Sequence, residues 1–240
     1  MTVVAVASLH GAPGVTTLVL DLAGLARAGG APPLVVEADP DGGRLAARLD
    51  LALAPGITEL AGAARAGIAA PDLWRFAQRS REGWNVIVAH PAAEQVHAAL
   101  RAAAHHIGAS LRRLDCDVFV DCGRLRPGSP AFALAACADH VVVVSENGVE
   151  SAVSLAHRAP ALASLQRVTH VITSSSPFAV EEIAAASRQP IWGVVPPCVS
   201  RSTRAFRGKA QRARRDAAVI ALHQAVTVDT SSESGSLLRK

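Results

Sequence analysis

The stretch from Val3 to Thr17, V-V-A-V-A-S-L-H-G-A-P-G-V-T-T, constrains the chain more than any other. A β-branched run passes into a turn punctuated by Gly and Pro, then into an apolar-periodic segment from Leu18 to Ala28. The pattern reads as strand, loop and helix. A loop of this kind aims successive backbone N–H groups and the positive end of a helix at one point, so it can seat a phosphate without any particular side chain.

A working phosphate loop adds a lysine directly before its Ser/Thr, reaching the β- and γ-phosphates while the hydroxyl holds magnesium. Here the hydroxyl position is Thr16, and Val15 stands before it. Two more pieces follow in order. L-V-V-E-A-D-P-D-G-G is a buried strand ending in Glu37, Asp39 and a turn, and D-C-D-V-F-V-D-C-G is a strand carrying Asp121 at its carboxyl end. Glu37 and Asp39 share one side of a strand terminus, and capping of a helix that begins near Gly43 is an alternative use for them.

Together these pieces resemble the ParA/MinD family of deviant-Walker P-loop ATPases, whose members include the CpaE/TadZ-type localisation proteins of pilus and secretion systems. The family's loop reads K-G-G-x-G-K-T-T. His10 stands at the signature lysine, Gly11 and Gly14 are kept, Ala12 and Pro13 fill the middle, Val15 replaces the phosphate lysine, and Thr16 and Thr17 match. Both lysines are gone. The resemblance runs from Val3 to about Val226. It implies a doubly wound, mainly parallel α/β sheet with helices on both faces, as one domain over residues 1–226. It also implies ATP and magnesium as cofactors. Gly11, Gly14, Val15, Thr16 and Thr17 would take the nucleotide, Thr16, Asp39 and Asp121 the metal, and Asp39 is the candidate for positioning the attacking water.

The missing lysines weigh against catalysis. A cation about 4 Å from a phosphate oxygen is worth on the order of 4 kcal/mol at an effective dielectric near 20, before desolvation. Losing one preorganised transition-state donor costs roughly 10²–10³ in rate, and phosphoryl transfer depends almost wholly on such charge and positioning. Pro13 removes one more backbone N–H from the cradle. The sequence therefore predicts a site that binds nucleotide weakly or not at all and hydrolyses it negligibly. Against this stands a slow ATP-dependent switch, with Arg124 or Arg126, the cations nearest the predicted pocket, replacing lysine.

With 240 residues, half of them hydrophobic, the chain can bury a large core. Cys116, Cys122, Cys137 and Cys198 have no C-x-x-C spacing and read as reduced core thiols, consistent with a cytoplasmic protein. No charged leader precedes the first strand, and no apolar run reaches the ~18 residues of a membrane helix. His97, His105 and His106 fall on one helical segment, Ala93 to Leu114, without chelating geometry. Pro71 opens a helix, Thr58 reads as a cap, and strands are expected over Asp139–Ser145, Val168–Thr173 and Ile191–Val195. Ser174-Ser175-Ser176-Pro177 holds no asparagine where relatives read the adenine base.

From Arg201 to Arg215 the chain reads R-S-T-R-A-F-R-G-K-A-Q-R-A-R-R, seven cations and no acid. Without them, 17 of the 24 basic residues remain against 20 acidic ones, so the net charge of +4 is local to this segment. Arg201, Arg204, Arg207, Lys209, Arg212, Arg214 and Arg215 are thus candidates for nonspecific contact with DNA or an anionic membrane surface. An exposed helix face is the plainer reading. Residues 227–240 read as a disordered tail. The expected role is a scaffold or localisation factor in cell division, chromosome partitioning or pilus/secretion positioning, with protein partners unidentified and a homodimer allowed.

Overall fold

The computed structural model describes residues 1–11, 14–28, 32–174, 176–198 and 205–227, with backbone only for 205–209. Its elements, in chain order, are β1 (Val3–Ser8), α1 (Val15–Ala28), β2 (Leu34–Glu37), α2 (Leu45–Leu49), α3 (Ile57–Arg65), a 3₁₀ helix (Ala70–Phe76), β3 (Gln78–Arg79) and β4 (Asn85–Ile87). There follow α4 (Ala93–Leu111), β5 (Val118–Arg124), α5 (Pro130–Ala135), β6 (His140–Ser145), α6 (Val149–Leu162), β7 (Arg167–Ile172), α7 (Val180–Ser187), β8 (Gly193–Val194) and α8 (Ala205–Thr227). Strands and helices alternate except where α2, α3 and the 3₁₀ helix follow one another and β3 leads directly into β4, and the eight strands form one sheet in the order β3-β4-β2-β5-β1-β6-β7-β8. Every pairing is parallel except the short β3 with β4. This is the doubly wound α/β architecture that the alternating pattern predicts.

Why β1 lies at the centre is visible in its residues. Val3, Ala5 and Ala7 face one apolar layer and Val4 and Val6 the other, so both faces are covered and the strand reads as continuously apolar. The first layer also holds Ile57, Leu60, Val96, Leu100 and Ile107 from α3 and α4. The second holds Leu18, Val19 and Leu22 of α1 with Val219, Leu222 and Val226 of α8. Spacings of three and four put those α8 residues on one stripe against α1. Arg215 lies on the same stripe, one turn earlier.

Several local expectations shift. The segment opened by Pro71 is a 3₁₀ helix, and the strand expected over Ile191–Val195 shrinks to Gly193–Val194. Pro190, Pro196 and Pro197 explain the second change, since proline donates no ladder hydrogen bond. Gly56, not Thr58, is the N-cap of α3; its N–H donates to Glu59 Oε2 at 2.8 Å. The long fourth helix stops at Leu111. Cys116 and Cys122 are buried, as read from the sequence, but Cys198 is exposed. Among the described residues no helix is long and apolar enough to cross a membrane. Thr227 ends α8, and residues 228–240 of the expected tail lie outside the described residues.

Candidate phosphate-binding site

The site forms where β1, β2 and β5 end, because their register sets the turns side by side. Val6 and Glu37 both sit opposite Asp121. Ser8 closes β1, and its hydroxyl donates to the Gly11 carbonyl oxygen at 3.1 Å, drawing the loop inward. Gly11 and Gly14 have φ of +67° and +87°, the left-handed region that glycine tolerates without strain. Ala12 and Pro13 lie outside the described residues. The Leu18 N–H donates to Gly14 O at 2.9 Å, so α1 begins at once and its free N–H groups face the loop.

A cavity of about 270 Å³ opens here, lined by Gly11, Gly14, Val15, Thr16 and Thr17 together with Asp39 and Asp121. The structure thus gathers along one cavity the residues that the sequence singled out. Val15 is 4% exposed and packs into the α1 layer, so nothing cationic projects from the lysine position. His10 turns away, its Nε2 3.4 Å from Glu150 of α6.

The three acids differ in use. Glu37 Oε1 accepts the N–H groups of Arg44 and Leu45 at 2.6 and 2.9 Å, and Oε2 accepts that of Ala89 at 2.9 Å. It caps α2, so the capping alternative weighed for this pair falls to Glu37. Burial pushes its pKa up against those hydrogen bonds. Asp39 is half-buried, accepts the Asp41 N–H at 2.9 Å, and leans over Gly123. A Cβ on Gly123 would lie 2.1 Å from the Asp39 carboxyl carbon, and φ there is +55°. Only glycine lets the two turns approach so closely. Burial raises the Asp39 pKa, while Arg44 and Arg124 oppose the rise. Asp121 is 1% exposed, bonded to the Thr16 side chain and to the Gly123 N–H at 3.0 Å. Burial pushes its pKa up to about 6, with Glu37 and Asp39 adding to the rise.

A hydroxyl and two carboxylates around one cavity make the hard oxygen set that suits magnesium, and the glycine turn with a helix N-terminus suits phosphate. Thr16, Asp39 and Asp121 are the residues that can hold the metal. Bound there, magnesium would screen phosphate charge.

The cations are only in part those the sequence pointed to. Arg124 lines the cavity, but Arg126 does not; it pairs at 3.3 Å with Asp41, which does. Arg44 and Arg48 line it too, and were missed. Their signal was the R-x-x-x-R spacing directly after the Asp39 turn, which puts both on one helix face. A second cavity of about 460 Å³ meets the first at Gly14 and Thr17 and reaches Asn147, Ser174 and Pro197. Asn147 is committed internally: it donates to the carbonyls of Ser174 and Phe178 and accepts the Phe178 N–H.

Of the basic segment, Arg201 and Arg204 lie outside the described residues, as do the side chains of Arg207 and Lys209. Arg212 and Arg214 are exposed on α8. Arg215 corrects the expectation: it is 8% exposed, its Nε is 3.0 Å from Asp21 Oδ2 of α1, and its Nη1 donates to the Pro196 carbonyl. Residues 205–227 form one helix, and the inward stripe that seats Val219 also carries Arg215 inward.

No family model and no curated protein matches the sequence. Solved structures do match the fold. A ParA family ATPase from Chlorobium tepidum superposes with a TM-score of 0.69 at 14% identity, covering 92% of each chain. An McdA variant in complex with ATP from Cyanothece gives 0.70 at 17% identity, covering 95% of this chain and 97% of that one. The septum site-determining protein MinD with Mg-ADP from Pyrococcus horikoshii gives 0.67 at 14%, covering 94% and 96%. The fold of this chain is therefore that of the ParA/MinD-like P-loop NTPases.

Proposed function

We propose that the protein is a ParA/MinD-like scaffold or localisation factor that holds a magnesium-bound nucleotide weakly and hydrolyses it negligibly. One observation carries the reading. Val15, where the phosphate lysine belongs, is a buried core residue, while the oxygen ligands Thr16, Asp39 and Asp121 are kept around the same cavity. Oxygen ligands without the lysines favour occupancy over turnover. Division-site placement, chromosome partitioning and pilus or secretion-apparatus positioning all suit such a protein, and a homodimer is its natural assembly.

The test is equilibrium binding of a fluorescent ATP analogue with magnesium, alongside phosphate release, on wild type and on Thr16→Ala. Binding that disappears in Thr16→Ala, without phosphate release, supports the reading. Multiple turnovers of ATP by wild type would sink it in favour of the slow switch. A second activity is favoured by the exposure of Arg212 and Arg214: nonspecific contact with DNA or anionic lipid through α8. Binding of this kind weakens steeply with salt and is lost when these arginines are neutralised.

A further inference from the structure

We infer that Arg44 at the N-cap of α2 and Arg48 within it, with Arg124 of β5, supply the cationic contacts to a di- or triphosphate group at the N-terminus of α1, in place of the lysines absent at positions 10 and 15. The inference rests on the nucleotide-holding half of the proposed function and not on the absence of hydrolysis. No phosphate-loop pattern assigns these residues, because they lie on a different element from the loop.

Geometry is the first support. Glu37 fixes the start of α2 through the Arg44 and Leu45 N–H groups, and the Gly43 N–H donates to His90 O at 2.9 Å. Arg44 and Arg48 are four residues apart and line the same cavity as Thr16 and Thr17. The Arg48 guanidinium donates to Thr17 Oγ1 at 3.3 Å, which places it over the first turn of α1.

Electrostatics is the second. α1 runs for 14 residues with no acid in its first turn, so the positive end of its dipole is not offset from within the helix. A cation beside that end is unfavourable by itself, yet the fold sets three arginines around the cavity. Among the described residues none of the three forms a salt bridge, whereas Arg126 is already paired with Asp41. Asp39 and Asp121 line the same cavity, Asp121 tied to Thr16. An anion brought in with magnesium satisfies both sets of charges. Guanidinium is suited to the role, since its planar fork matches two phosphate oxygens at once.

The experiment is titration calorimetry of the full chain with Mg-ATP, Mg-ADP and Mg-tripolyphosphate. The proteins are wild type, Arg44→Ala, Arg48→Ala, the double variant, and Arg65→Ala as an exposed α3 control outside the cavity. Thermal denaturation checks that each is folded; the replaced side chains are exposed, so the fold does not depend on them. The double variant is expected to lose roughly tenfold or more in affinity, about 1.4 kcal/mol, while Arg65→Ala stays near wild type. An equal loss for tripolyphosphate and ATP supports the inference with the phosphates as the recognised group. An arginine-dependent affinity seen with nucleotides alone supports it with the nucleoside as a required carrier. Double-variant binding within about threefold of wild type, or no wild-type binding at about 5 mM of any probe, overturns it. Arginine-dependent binding accompanied by steady ATP turnover would overturn the non-hydrolytic reading and leave this inference standing.

Discussion

Thr16, in the first turn of α1, is hydrogen-bonded through its side chain to Asp121, which is 1% exposed at the end of β5. The contact ties the phosphate loop to the strand that carries the acid. It also holds down the Asp121 pKa, which burial nonetheless pushes up to about 6. Thr16→Ala leaves the carboxyl with the Gly123 N–H as its remaining hydrogen bond. The variant should be less stable by about 1 kcal/mol in urea, and Asp121 should titrate higher in carboxyl-carbon NMR. Thr16→Ser restores the hydroxyl and should reverse both effects; a serine variant behaving like alanine would assign them to packing.

Val15→Lys tests whether the lysine position can be refilled. Val15 packs into the α1 layer yet lines the cavity, so a lysine there can bury its stem and place its ammonium toward the phosphate region. The expected result is a loss of about 1–2 kcal/mol of stability and a gain of roughly tenfold in Mg-ATP affinity, read by denaturation and calorimetry. Hydrolysis should stay at background, because position 10 remains a histidine turned toward Glu150.

How much of this was legible beforehand differs from residue to residue. The apolar run that opens L-V-V-E-A-D declared a buried strand, because a run without polar interruption has no wet face. The loop glycines declared themselves because their conformation depends on lacking a Cβ. The division of labour between Glu37 and Asp39 did not: it is decided by Ala89, 52 residues away, whose N–H closes on Glu37. Arg215 was misread for a related reason. Within a run of cations nothing local marks the one that turns inward, and its burial is set by Asp21, 194 positions earlier.

His170 gives the fold a pH dependence of stated sign. It is 5% exposed on β7, its Nδ1 has no hydrogen-bond partner, and burial lowers its pKa from 6.5 to about 4. The groove beside it also carries His157 of α6 and Arg188 at the end of α7, and His140 of β6 is lowered in the same direction. Above pH 6.5 His170 is neutral in both states. As pH falls from 6.5 toward 4 the unfolded chain takes up the proton first, so stability falls, by up to about 3 kcal/mol from this group. Asp121 works in reverse: its folded pKa is raised from 3.8 to about 6, so it favours the fold as pH falls through that window. Urea midpoints from pH 7 to 4 should therefore vary modestly in wild type, drop more steeply in Asp121→Asn, and rise toward acid in His170→Gln. A His170→Gln profile parallel to wild type would show that this ring does not titrate as its surroundings dictate.

Arg215 and its neighbours Arg212 and Arg214 should separate stability from surface binding. Arg215 joins α8 to α1 through Asp21 and to the chain after β8 through Pro196, with 9% of its side chain exposed. Asp21→Asn leaves the guanidinium buried without its counter-charge, and an uncompensated buried charge costs about 3 kcal/mol, less here because Asp21 is 37% exposed. Arg215→Met, which removes the buried charge and keeps the bulk, should cost less than Asp21→Asn. Arg212→Gln with Arg214→Gln, both exposed, should leave the melting temperature unchanged within about 1 °C. If α8 is a binding face, that double change lowers affinity for duplex DNA or anionic vesicles and flattens its salt dependence by about one contact per arginine. Asp21→Asn, corrected for its unfolded fraction, should not. Equal destabilisation by the two sets of changes would mean that all three arginines serve the fold.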